Sequence, residues 1–232
     1  MNAIILCGGV GSRLGEIVKT TPKVLIKIGD KTVFDWQMEK LAKLGVQEVV
    51  LAAGHLSDVL KSRVGESWNG IEIIYAVEPT RLGTGGAIKF AMNFVKNKDN
   101  PTLILNGDVL TTVDFADVYK NLKEGTDGII LGSKVEDASS YGTLFYDEDK
   151  HIKEFKEKEG KQIVGFINGG VYLFNPQVSK YFPEADAFSV EYDMFPNMKN
   201  LHVYESEHPW IDIGVPERLA WAEENWEIFK EI

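Results

Sequence analysis

Short apolar runs alternate along this chain with stretches of helical periodicity, and that alternation limits the fold more than any other feature. Residues 3–7, 48–53, 71–77 and 102–105 have the length and composition of strands buried on both faces. Between them Phe34, Met38, Leu41 and Leu44 recur at helical spacing before Gly45, placed as a C′ residue, and Ile88, Ala91, Met92 and Val95 repeat the pattern. This order predicts an α/β fold in which right-handed crossovers layer helices over a twisted sheet. After Asp108 the rhythm changes. Residues 128–135, 142–146, 152–155 and 164–174 read as strands with fewer helices between them, so the sheet is expected to be mixed, though mostly parallel. Pro216 suits the first position of a closing helix whose Leu219, Ala222 and Trp226 share a face. No repeat, low-complexity tract or linker interrupts the chain, and residues 1–232 read as a single domain.

At 232 residues and 44% hydrophobic, the chain can bury a substantial core. Its 25 Lys and Arg against 35 Asp and Glu give a net charge of −10, a field that disfavours nucleic-acid or anionic-membrane surfaces. Small anions held in a local basic pocket remain compatible, so the expected partners are small molecules. Cys7 stands alone, no apolar run approaches the roughly 20 residues that span a bilayer, and residues 1–6 carry no basic segment. Cytoplasmic residence is the expectation. Trp36, Trp68, Trp221 and Trp226 offer apolar area that could serve a homo-oligomer.

The first strand runs into Cys7-Gly8-Gly9-Val10-Gly11-Ser12-Arg13-Leu14. Glycines directly after a buried strand let backbone N–H groups approach a phosphate, and equally suit a tight strand exit with no ligand. A dinucleotide fingerprint would want glycine where Leu14 stands, and the P-loop pattern occurs nowhere in the chain. Arg13 and, ten residues on, Lys23 in Thr21-Pro22-Lys23-Val24-Leu25 would suit a triphosphate, one as a fork and the other as a point charge. Pro22 biases Thr21 to an extended shape. Further on, Glu78-Pro79-Thr80-Arg81-Leu82-Gly83-Thr84-Gly85-Gly86 stands at a helix start, and Asn106-Gly107-Asp108 places a carboxylate at the end of a central strand, where open α/β sheets bind ligands.

Together, Gly8-Gly9-Val10-Gly11-Ser12-Arg13-Leu14 and Pro22-Lys23-Val24-Leu25 resemble the signature of the sugar-1-phosphate nucleotidyltransferases, with Ser12 for the commoner Thr. The resemblance runs in order to Trp210-Ile211-Asp212-Ile213-Gly214-Val215-Pro216-Glu217, where Val215 replaces Thr, and so covers nearly the whole chain. Within the family the motifs look most like the D-glycero-D-manno-heptose 1-phosphate guanylyltransferases, short enzymes without an extra C-terminal domain. The resemblance implies a Rossmann-like nucleotide-diphospho-sugar transferase fold, with a nucleotide-binding half over 1–110 and a sugar-phosphate-binding half over 111–232. It implies that Arg13 and Lys23 are catalytic, and that Leu6, Gly8, Gly9, Gly11, Ser12, Glu78, Gly83 and Thr84 bind the nucleotide, with residues 83–86 facing the base. Gly142, Glu157, Lys158, Asn168 and Glu191 are implied at the sugar phosphate, and Asp108 and Asp212 as ligands of Mg²⁺. A carboxylate at Glu78 can accept from the two donors on guanine's edge, which favours GTP as the nucleoside triphosphate.

The implied reaction joins GTP and a sugar 1-phosphate into a GDP-sugar and pyrophosphate. Three alternatives stay open at this point: uridylyl or thymidylyl transfer to another hexose 1-phosphate, a glycosyltransferase using Asp147 and Asp149, and a non-catalytic sugar-nucleotide sensor. Asp147-Glu148-Asp149 sits between two strand-like stretches and reads more readily as an acidic hairpin turn. His55, His151, His202 and His208 show no metal-ligand spacing.

Overall fold

A computed structural model describes residues 1–156 and 164–230. In chain order the elements are β1 (Asn2–Leu6), α1 (Ile17–Thr20), β2 (Lys27–Ile28), β3 (Lys31–Thr32), α2 (Val33–Lys43), β4 (Glu48–Ala53), α3 (Ser57–Val64), β5 (Ser67–Trp68), β6 (Ile71–Val77), α4 (Gly83–Ala91), β7 (Thr102–Asn106) and β8 (Val109–Thr111). They continue with α5 (Phe115–Lys120), β9 (Gly128–Val135), β10 (Thr143–Tyr146), β11 (Ile152–Lys156), β12 (Gly165–Phe174), β13 (Leu201–Ser206), β14 (Trp210–Asp212) and α6 (Pro216–Asn225).

The main sheet runs β11-β10-β12-β7-β1-β4-β6-β5, with β9 and β13 joined beside β12. β7, β1, β4 and β6 are mutually parallel, whereas β12 pairs antiparallel with β7 and with β9. The fold is therefore Rossmann-like with a mixed, mostly parallel sheet flanked by helices, as the change of rhythm after Asp108 predicts. From β1 the chain steps outward to β4 and β6, then returns to place β7 on the other side of β1. That reversal opens a crevice at the carboxyl ends of β1 and β7.

Alternation along β1 supplies both layers of the core. Ala3 and Ile5 pack with Phe34, Met38 and Leu41 of α2, and Ile4 packs with Ile88 and Ala91 of α4. Thr32 caps α2 by a reciprocal box with Asp35, and Leu44 and Gly45 close it. α4 is shorter than its apolar pattern suggests: it ends at Ala91, and Val95 is buried in the segment beyond. α6 does begin with Pro216 at its first position. A third apolar cluster joins Leu219 and Ala222 to Trp36, Ile28 and Ile211, with Trp226 against it.

This arrangement corrects the reading of the tryptophans as a shared apolar surface. Trp36 is buried and donates to Ile28 O at 3.1 Å, Trp226 packs beside it, and Trp68 donates to Asp35 at 3.0 Å. Only Trp221 of the four is exposed. The acidic triplet is the turn between β10 and β11, as expected: Asp147 pairs with Lys153 at 2.8 Å and accepts from His151 N at 3.0 Å. Among the described residues, no helix is long and apolar enough to cross a membrane.

Candidate active site

A cleft of about 230 Å³ opens at the crevice between β1 and β7. Leu6, Gly8, Gly9, Lys23, Glu78, Gly83, Thr84 and Asp108 all line it, and so does Arg81, to which the glycine-rich motif around it assigns no role. Gly11, Ser12 and Arg13 lie outside that lining. Gly11, with φ 65°, opens a short helical turn, Ser12–Leu14, in which Ser12 and Arg13 are exposed. Glycine is required at position 11 for two reasons. Its backbone is left-handed, and a Cβ there would sit 3.0 Å from Cδ of Lys23, whose stem lies across the turn. Thr21 is extended before Pro22, as expected, and this ends α1 and delivers Lys23 into the cleft.

The two aspartates meet although 103 residues separate them in the chain. β8 follows β7 at once and pairs antiparallel with β14, setting Asp212 opposite Val109, while Ile213 N donates to Asp108 O at 2.9 Å. A Cβ built on Gly214 would lie 2.7 Å from Asp212 Oδ1 and 3.8 Å from Asp108 Oδ2, so both carboxylates face one small volume. Each has its own cation: Lys23 Nζ pairs with Asp108, and Arg218 Nη2 lies 2.8 Å from Asp212 Oδ1. Burial raises the proton affinity of Asp212; Arg218 opposes the rise and the charge of Asp108 adds to it.

Arg218 went unnoticed in the sequence. It stands one residue past the closing motif, and only the turn into α6 brings its guanidinium back to Asp212 and over the ring of Tyr141, 4.9 Å away. Glu78 forms another wall of the cleft, accepting from Leu82 N at 3.0 Å, and burial raises its pKa.

The second glycine-rich stretch corrects the expectation that residues 83–86 all face the base. Gly83 and Thr84 line the cleft, but Gly85 N and Gly86 N donate to Phe188 O at 3.0 and 3.3 Å. A Cβ at Gly85 would meet the Phe188 ring at 2.3 Å, and one at Gly86 would meet Asp186 O at 2.1 Å. Those two glycines serve the packing of residues 186–188 against α4.

On the far side of Asp108, β12 breaks register between Asn168 and Tyr172. Asn168 Nδ2 donates to the Tyr172 hydroxyl at 2.9 Å, its Oδ1 accepts from Gly170 N at 3.0 Å, and its own N–H donates to Gly142 O at 3.1 Å. The Tyr172 hydroxyl is pushed well above its ordinary pKa by burial, then by Glu191, with a smaller contribution from Asp108. Asn168 and Gly142 are thus joined at the break in β12, and Glu191 and Asp108 are near enough to act on the Tyr172 hydroxyl. Glu191 also accepts from Ser189 Oγ at 2.9 Å. Glu157 and Lys158 lie outside the described residues.

The nucleotidyl transferase family profile matches residues 2–227. The chain belongs to that family. This nucleotidyl transferase is 39% identical, over 94% of its length and 96% of the relative's, to the D-glycero-alpha-D-manno-heptose 1-phosphate guanylyltransferase of Campylobacter jejuni. It is 34% identical to the mannose-1-phosphate guanylyltransferase catalytic subunit beta of Drosophila pseudoobscura, matching over 92% of its own length but only 59% of that protein. Among solved structures, HddC from Yersinia pseudotuberculosis complexed with GMP-PN superposes with a TM-score of 0.84 at 30% identity, covering 97% of this nucleotidyl transferase and 99% of HddC.

Proposed function

We propose that this nucleotidyl transferase joins GTP to D-glycero-D-manno-heptose 1-phosphate, giving a GDP-heptose and pyrophosphate. One observation carries the reading: the cleft at the strand reversal combines glycines 8 and 9, the Lys23 ammonium and a carboxylate suited to guanine with Asp108, beside which β14 sets Asp212. The similarity to the Campylobacter jejuni and Drosophila pseudoobscura guanylyltransferases supports GTP, and the former supports the heptose.

An oxygen of the sugar phosphate attacks the α-phosphorus of GTP in line. The bond from that phosphorus to the bridging oxygen breaks, and pyrophosphate leaves with the electron pair. A phosphate monoester is already a nucleophile, so the protein has to hold two anions together and stabilise the leaving group. Lys23 lies across the glycine turn, placed to move from Asp108 onto the triphosphate, and Arg13 neutralises the departing pyrophosphate. Glu78 accepts from the donors on the guanine edge, and Asn168 and Glu191 orient the sugar.

The donor set fits Mg²⁺, because two hard carboxylates face one small volume and such an ion takes one or two carboxylates together with substrate phosphate oxygens. Asp108 and Asp212 would hold the ion, whose charge would lower the repulsion between the reacting phosphates. The test is a matrix of four nucleoside triphosphates against heptose, mannose and glucose 1-phosphates, with and without Mg²⁺, read as pyrophosphate release. Release confined to GTP with the heptose supports the proposal, and no release with any pair overturns it.

A further inference from the structure

α2 points one amide into the sheet. Gln37 is 4% exposed, and its Nε2 donates to Asn106 O at 2.8 Å and to Val109 O at 2.9 Å. Those carbonyls bracket Gly107 and Asp108, so a single nitrogen spans the turn that carries the carboxylate. A glutamine amide has two N–H bonds on one atom, which is what two carbonyls three residues apart require. Its Oε1 is buried with no hydrogen-bond partner among the described residues. Flipping the amide would set that oxygen against both carbonyls, so the contact has one orientation. The rest of the turn is tied to other elements, Gly107 N to Leu6 O at 3.0 Å and Asp108 O to Ile213 N at 2.9 Å.

We infer that Gln37 is a positioning residue that fixes the turn bearing Asp108, so that this carboxylate and Asp212 address the same cation. The inference rests on the proposed role of Asp108. No short-range pattern links Gln37 to the turn, because the contacts span 69 and 72 residues of sequence. Leucine at this position would fill the same space but take the amide donor from one buried and one part-buried carbonyl. Glutamate would bring a carboxylate against them.

The experiment is titration calorimetry of a non-hydrolysable GTP analogue at a series of free Mg²⁺ concentrations, on wild type, Q37L, Q37N and L41A. Leu41 is a fully buried neighbour on α2 packed in the apolar cluster beneath the sheet, and its truncation controls for general loss of stability. The Mg²⁺ concentration giving half-maximal affinity should rise roughly 10-fold in Q37L, as expected for loss of an outer-shell partner. Q37N keeps the donors on a shorter stem and should fall between wild type and Q37L, while L41A should match wild type. If Q37L is too unstable to titrate, Q37N against L41A decides the question. A shift in the Gln37 variants no larger than that of L41A overturns the inference and leaves the reading of Asp108 standing. Wild-type binding that ignores Mg²⁺ overturns both.

Discussion

Lys40 is 7% exposed on the sheet-facing side of α2, with its ammonium 5.2 Å from the centre of the Phe115 ring. Burial lowers its pKa to about 8, opposed in part by Asp114 and reinforced by Lys43. The unfolded chain keeps this proton until about pH 10, so the folded protein holds a poorly solvated charge at neutral pH. That penalty is full below about pH 8, shrinks as the pH rises toward 10, and is absent above it. Lys40→Met should therefore stabilise the protein at pH 7 by at most about 3 kcal/mol, with the gain fading by pH 10. Urea unfolding of both proteins across that range checks it, and a gap that does not change with pH would refute the cause given. Arg13 offers a different test: it stands exposed, so Arg13→Ala should leave stability unchanged while lowering kcat by roughly two powers of ten, as for loss of a transition-state donor. Normal turnover by that variant would remove Arg13 from the mechanism. The motifs name Lys23, Glu78, Asp108 and Asp212, and the fold brings the first three to one cleft with Asp212 next to it. Gln37 and Arg218 were not readable in the sequence, since each acts on backbone or side chains brought near only by the finished fold.

The apolar runs identified the main strands because burial on both faces leaves no polar alternation to confuse them. The elements that escaped were short or lay against the sheet edge: α3, α5 and β13, and the small β8–β14 pair that brings Asp212 to Asp108. The glycines that open α4 show why a motif can locate a segment and still mislead about its contacts. Gly83 lines the cleft, whereas Gly86 is kept small by the backbone of residue 186. Gly86→Ala should therefore cost about 1–3 kcal/mol, as for other overpacked sites. It should also weaken binding of a GTP analogue, because Gly83 and Thr84 on the same turn would shift. Urea denaturation and calorimetry on the one variant measure both effects. An alanine variant of full stability would mean that residues 186–188 move aside freely.

The halves proposed to bind the nucleotide and the sugar phosphate share one sheet, because β12 pairs with β7 along residues 171–174 while its other edge pairs with β9. Unfolding one half would expose an edge of the other, so the halves should melt together. Far-ultraviolet dichroism and fluorescence of the five tryptophans should give coincident denaturation curves, and separated midpoints would argue for two units. The hairpin turn at Asp147 is committed to Lys153 and His151, so replacing Asp147 and Asp149 together by Asn should leave pyrophosphate release undiminished. Loss of turnover would mean that this turn takes part in the reaction. The clasp of Phe188 on the start of α4 bears on attempts to re-engineer the enzyme. Transplanting residues 78–86 from a homologue with a different base preference would carry over a surface moulded to its former neighbour. The donor's counterpart of residues 182–190 would have to travel with it, and chimaeras should be cut on both sides of that pair.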